Sequence, residues 1–139
     1  HYDAKNHKLY IFDEYRAQKK SNQAVYDELK EAGRIINSEL LIADSSEPKS
    51  IADLRAYGAN IRGAEKGPDS VAYSMKWLQS LREIVIDPVR CPYHLEEFIN
   101  YELEQDKDGN YISEFPDKNN HFIDETRYRT NLIWRKRGQ

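Results

Sequence analysis

The chain has 139 residues, 39% of them hydrophobic and 32% charged, with ten Tyr, two Trp and a formal net charge of −3. That length suits a single domain with one substantial core, the aromatic content argues against disorder, and the small net charge carries no global nucleic-acid signature. A lone cysteine, Cys91, excludes an internal disulfide and a Cys-rich zinc site, and no apolar run nears the roughly 20 residues that span a bilayer.

In chain order, Lys8-Leu-Tyr-Ile-Phe-Asp-Glu-Tyr15 is rich in β-formers and follows turn chemistry at Lys5-Asn6, which predicts an N-terminal hairpin. Ser21 reads as the N-cap of a helix with Val25, Leu29 and Ala32 on one face and Gly33 as its stop. Leu40-Leu-Ile-Ala43 is a short buried strand that ends in Asp44. Pro48 opens a helix carried by Ile51 and Leu54 to Tyr57-Gly58, and residues 60–64 form a weaker strand. Gly67-Pro68 opens the next helix, with Val71, Met75 and Leu78 at helical spacing. A strand follows over Glu83-Ile-Val-Ile-Asp87, and Pro92 begins a helix through Leu95, Phe98 and Ile99. Asp108-Gly109 marks a second, small hairpin, and a last helix runs from about Asn119 to Trp134. Alternating helices and strands predict an α/β domain over residues 1–139, a mixed sheet with helices on its faces. The sequence opens in a strand-like pattern without Met, and reads as a piece of something longer.

Two places invite chemistry. Asp44 sits at the carboxyl end of a buried strand, where open α/β sheets place their ligands; taken alone, a turn through Ser45 and Ser46 explains it better. His121 and Asp124 share a helix at i,i+3 spacing, which allows both to converge on one metal, or merely to decorate a helix start. Glu47, three residues past Asp44, reads as an outer acid or a first-turn residue. Asp13-Glu14 reads as edge charge, and Asp87 before Pro88 as turn chemistry. Asp106-Lys-Asp-Gly-Asn110 fails as a calcium loop, since its Gly stands too early and no bidentate Glu closes it. Gly63-Ala-Glu-Lys-Gly67 lacks the ending of a phosphate loop, which excludes a nucleotide motor within this chain.

Together these segments resemble a known family. Ala43-Asp-Ser-Ser-Glu-Pro-Lys-Ser-Ile51 with Leu54-Arg-Ala-Tyr-Gly58, then Asn60-Ile-Arg-Gly-Ala-Glu-Lys-Gly67, then Ile86-Asp-Pro-Val-Arg-Cys-Pro92 follow one another as in phage terminase large subunits of the PBSX type. Asp117-Lys-Asn-Asn-His-Phe-Ile-Asp-Glu-Thr-Arg-Tyr128 is similar to the closing motif of their nuclease domain, except that Glu125 replaces a small residue.

The resemblance implies an RNase H-like fold and a metal-dependent endonuclease that cuts concatemeric double-stranded DNA during packaging, with two Mg²⁺ or Mn²⁺ ions. Asp44, Asp124 and His121 would be catalytic and hold metal, with Glu47 behind them. Lys49, Arg62, Lys66, Lys118 and Arg127 would form a basic rim on DNA. It further implies as partners an ATPase domain in the full-length chain, a small terminase subunit and a portal protein, in the cytoplasm of a bacterial host. Another aspartate, on a first strand, is missing from these residues, so the fragment is expected to show little activity of its own. The alternatives are a catalytically incomplete module that binds DNA or docks to the motor, and a generic nucleotide-binding domain, disfavoured by the missing glycine motif.

Overall fold

The computed structural model describes residues 1–113 and 115–135. Strands β1 (Tyr2–Asp3) and β2 (Lys8–Ile11) form the expected N-terminal hairpin. Its turn is held by the Asp3 carboxylate, which accepts the Lys5 and Asn6 backbone N–H groups at 3.0 and 3.1 Å. Helix α1 (Asn22–Glu31) starts at Ser21, whose hydroxyl accepts the Ala24 N–H at 3.2 Å. Strand β3 (Leu41–Ala43), helix α2 (Pro48–Ala56) and strand β4 (Ile61–Gly63) make a parallel βαβ unit, Leu41 lying opposite Ile61. Helix α3 (Ser70–Ser80) leads to strand β5 (Glu83–Ile86), which runs parallel beside β2. Register brings Lys8 against Glu83 at 2.5 Å, a solvent-screened pair that adds little to stability.

Helix α4 (Pro92–Asn100) precedes the small hairpin of β6 (Glu104–Gln105) and β7 (Tyr111–Ser113). Asp106 closes that hairpin by accepting the N–H groups of Asp108 and Asn110, both at 2.9 Å, so its carboxylate serves a turn. The chain ends in α5 (His121–Arg129) and α6 (Asn131–Trp134).

Among the described residues the strands fall into a mixed sheet of order β1-β2-β5, the parallel pair β3-β4, and the β6-β7 hairpin. The outer edges of β1 and β3 pair with no described strand. Arg129 lies near both: its guanidinium donates to the Leu40 carbonyl at 3.2 Å, while burial and the Arg129 charge lower the pKa of the His1 amine.

Two apolar clusters hold the elements. Leu9, Met75, Trp77, Leu78, Ile123 and Trp134 join β2 to α3, α5 and α6. Tyr26, Ile35, Ile51, Ala59 and Ile61 join α1 to α2 and β4. Each buried large side chain is worth about 1.5–3 kcal/mol relative to exposure. Helix α5 belongs to the first cluster and packs against β3, so it ties the two halves together.

Two expectations need correction. The helix after Gly67-Pro68 begins only at Ser70, because Asp69 takes a left-handed backbone (φ 59°) that no right-handed helix accommodates. The last helix is not continuous to Trp134. Thr126 and Thr130 direct their hydroxyls back onto the Phe122 and Thr126 carbonyls at 2.9 and 2.7 Å, which loosens the helix there. The Trp134 indole then folds over to donate to the Arg127 carbonyl at 3.1 Å and satisfies a helix end.

Candidate functional site

Asp44 follows β3 directly, and the turn expected through Ser45 and Ser46 is present. Its Oδ1 accepts the Ser46 N–H at 2.9 Å, which is turn chemistry, and it also receives the Lys66 ammonium at 2.5 Å. Lys66 arrives from the loop after β4, the strand paired with β3. That loop is held close: Ala64 N–H donates to the Ala43 carbonyl at 2.7 Å, and a Cβ on Gly63 would stand only 2.9 Å from the Ser45 Cβ. Burial alone would raise the Asp44 carboxyl, but the hydrogen bonds from Lys66 and Ser46 outweigh it and pull its pKa down to about 2. Lys66 is correspondingly raised by the bond to Asp44.

From the other side comes α5. The Tyr128 hydroxyl reaches Asp44 Oδ2 at 3.4 Å, and its ring lies 4.9 Å beneath the Lys66 ammonium. One turn earlier, Asp124 bonds the Arg127 guanidinium at i,i+3 and lies 3.5 Å from the Asn120 amide. Arg127 reaches in turn to the Ser74 hydroxyl on α3 at 2.6 Å. Burial raises the Tyr128 phenol, and the charges of Asp124 and Asp44 both add to that, against the opposing Lys66. Tyr128 therefore stands in the field of both carboxylates, although these are far apart in the chain. Asp124, Asn120, Asp117, Lys66 and Tyr128 line one groove of about 360 Å³.

The other expected residues do not all gather here. His121 opens α5, is exposed, and turns edge-on to Phe122 at 5.4 Å. It lines a neighbouring groove with Arg16, Tyr93, Glu96 and Asn119, because three helical steps leave about 60° between its direction and that of Asp124. Glu47 is exposed at the start of α2 and makes no side-chain cap there. Lys49 is exposed on α2, and Arg62 on β4 is half-buried with its Nε lacking a hydrogen-bond partner. Lys118 pairs with Glu104 at 2.7 Å. Arg127 does face Asp124 but is only 5% exposed, so it is an internal clamp and not part of an outer rim.

Sequence reasoning overlooked three participants, and it took Glu14, whose side chain is 5% exposed, for edge charge. Tyr128 was legible in principle, since it lies four residues after Asp124 and so on the same helix face. Ser74 on α3 carries no local signal. Glu14 and Glu97 take up helix ends from a distance.

Among the described residues no three His, Cys, Asp or Glu side chains converge into a group that could hold a metal. What is present is two hard carboxylates, Asp44 contacted by Lys66 and Tyr128, and Asp124 held by Arg127. Such a donor set suits a hard dication that keeps several waters and takes its remaining oxygens from phosphate.

The chain is similar to several known proteins. The family described as "Terminase RNAseH like domain" matches residues 2–131. The large terminase subunit of Bacillus phage SPP1 is 42% identical over 99% of this chain and 33% of its own length. The PBSX phage terminase large subunit of Bacillus subtilis is 34% identical over 76% of this chain and 24% of its own. The chain thus spans a third or less of these curated relatives. Among solved structures, the SPP1 large terminase nuclease domain with bound Mn superposes with a TM-score of 0.84 at 41% identity, covering 95% of this chain and 75% of that one. The large terminase of a thermophilic bacteriophage shares the fold at a TM-score of 0.57 and 23% identity, over 84% of this chain and 30% of its own.

Proposed function

The chain belongs to the terminase RNase H-like domain family, and on that premise we propose that it is the metal-dependent endonuclease domain of a phage large terminase, cutting double-stranded DNA during genome packaging. The observation that carries this reading is that Asp44, at a strand end, is met by Lys66 from a loop and by Tyr128 from the helix that also carries Asp124. Bound Mn in the SPP1 nuclease domain supports divalent metal use by this family.

In this reading Asp44 and Asp124 hold Mg²⁺ or Mn²⁺. Two such ions would supply electrostatic stabilisation to the attacking and leaving oxygens of the phosphodiester. The protein does the rest. Lys66 neutralises Asp44 unless a cation replaces it there, in which case its ammonium is free to pair with a phosphate, and the Tyr128 hydroxyl orients the second Asp44 oxygen. Arg127, bonded to Asp124 at i,i+3, holds that carboxylate toward the groove. A further carboxylate, on a first strand, is what the family resemblance implies. Lys49, Arg62 and Lys118, with Lys66, are the cations proposed to meet DNA, which would make affinity fall steeply with salt. A part for His121 requires its ring to leave Phe122 and turn toward Asp124. The full-length partners proposed are an ATPase domain, a small terminase subunit and a portal protein, in the host cytoplasm.

The second reading, a catalytically incomplete module that binds DNA or docks to the packaging motor, is favoured by the absence of a third converging acid among the described residues. Plasmid cleavage in Mn²⁺ separates the two. The nuclease reading expects nicking that Asp44→Ala and Asp124→Ala each reduce at least about a hundredfold. The incomplete reading expects Mn²⁺ and DNA binding without cleavage, restored when an acidic strand is supplied. Cleavage indifferent to both substitutions would remove these residues from the site altogether.

A further inference from the structure

Helices α4 and α5 share a start in which neither N-cap side chain, Cys91 nor Asn120, accepts a first-turn backbone N–H. In each case a carboxylate from an earlier element takes the open N–H groups instead. Glu14, just past β2, accepts the Tyr93 and His94 N–H groups at 3.0 Å each, and the His94 Nδ1 proton at 2.6 Å. Its side chain is 5% exposed. Glu97, carried on α4, accepts the Phe122 N–H at 2.6 Å and the Ile123 N–H at 3.1 Å.

The two caps form a series. The end of β2 fixes the start of α4 through Glu14, and α4 fixes the start of α5 through Glu97. Tyr93 stacking flat on Phe122, at 5.6 Å and 8°, reinforces the second joint. The very next residue after Ile123 is Asp124. A carboxylate accepting backbone N–H groups at a helix start gains from both the open donors and the helix dipole. It also constrains direction, since two bonds to one oxygen leave the first turn little freedom to rotate.

We propose that Glu97 is the positioning residue for Asp124: its hold on the Phe122 and Ile123 amides sets where the Asp124 carboxylate and its Arg127 clamp sit in the groove. The proposal rests on the site reading above only for its metal arm. Supporting side chains one step removed from metal ligands commonly change metal affinity about 10–100-fold when removed.

The test uses the whole chain with Glu97→Ala and Glu97→Gln, folding being monitored by circular dichroism. Gln keeps a carbonyl acceptor without the charge. The first readout needs no metal: the Arg127 Nε–H resonance, which reports the Arg127, Asp124 and Ser74 arrangement. It should shift or broaden in Glu97→Ala, as it does in Asp124→Ala, and return to its place in Glu97→Gln. An unchanged signal in the Ala variant overturns the proposal. So does a Gln variant that loses the signal as Ala does, because charge and not placement would then be at work. Should the Ala variant fail to fold, the Gln variant and Glu97→Asp, too short to reach both amides, decide the matter in the same way.

The second readout is Mn²⁺ affinity by titration, expected to drop about tenfold in Glu97→Ala and to recover within about twofold in Glu97→Gln. Parental affinity in Glu97→Ala, where Asp124→Ala has lost binding, counts against Glu97. If Asp124→Ala itself binds Mn²⁺ normally, the ligand reading of Asp124 falls, and the Arg127 resonance still decides the role of Glu97.

Discussion

The two carboxylates, Asp44 and Asp124, are neutralised in different ways. At the strand side, Asp44 is matched by Lys66, a flexible cation whose side chain is 40% exposed. At the helix side, Asp124 is matched by Arg127, whose side chain is 6% exposed and anchored again on Ser74. A lysine ammonium in partial contact with water can trade partners at small cost, whereas a buried guanidinium cannot leave without stranding two polar groups. The Asp44 pair is therefore built to exchange its cation and the Asp124 pair to keep it.

Breaking the fixed pair has the largest expected effect. Arg127→Met leaves Asp124 and Ser74 without their partner, and should cost about 3 kcal/mol or more of stability by urea denaturation. A loss below about 1 kcal/mol would show that the clamp is no more built-in than the Lys66 pair. Glu14→Ala comes next, because three hydrogen bonds to a buried carboxylate vanish together. A loss of about 2–3 kcal/mol is expected, with faster amide exchange at the start of α4.

Acid sharpens the contrast at lower amplitude. The Asp44 pKa is held down to about 2 from an ordinary value of 3.8. A depressed carboxyl contributes stability that is fully present above the unfolded value and is lost as pH falls through the folded one. The contribution should therefore disappear between about pH 4 and pH 2, and amount to on the order of 1 kcal/mol after screening. The acid limb of the stability curve should flatten in Lys66→Met and keep its shape in Lys118→Met. Smallest of all is the neutral-pH stability change in Lys66→Met, expected under about 1 kcal/mol. The same variant should bind Mn²⁺ more tightly if Lys66 competes for Asp44; weaker binding would reverse the exchange picture.

How much of this was readable from residues alone depends on the range of each signal. Ser21, Pro48 and Pro92 announced their helices because capping and proline chemistry act within one turn. The Leu40 to Ala43 run announced β3, and Asp44 stood out because polarity changes abruptly after it. Glu14 and Glu97 were illegible because their partners are contributed by other elements. A trace was present all the same. A helix led in by Cys91 and Pro92, with no Ser, Thr, Asp or Asn at the cap, requires an acceptor from elsewhere. The break at Thr130 was hidden for a different reason: the apolar rhythm continues across it, and only the hydroxyl back-bonds and the Trp134 indole interrupt the backbone. His121 shows the limit of spacing arguments, since residues three apart on a helix are near neighbours and can still line two different grooves.

Gly63 carries a consequence for how such a domain can vary over evolutionary time. Its backbone conformation is ordinary for a strand, yet any side chain there would press into Ser45, next to Asp44. Selection for an undisturbed Asp44 would purge every replacement at residue 63, even though that position offers no functional group to metal or DNA. An invariant column there would record the clearance that an acidic neighbour needs, and a mutational scan would score as essential a residue that performs no chemistry.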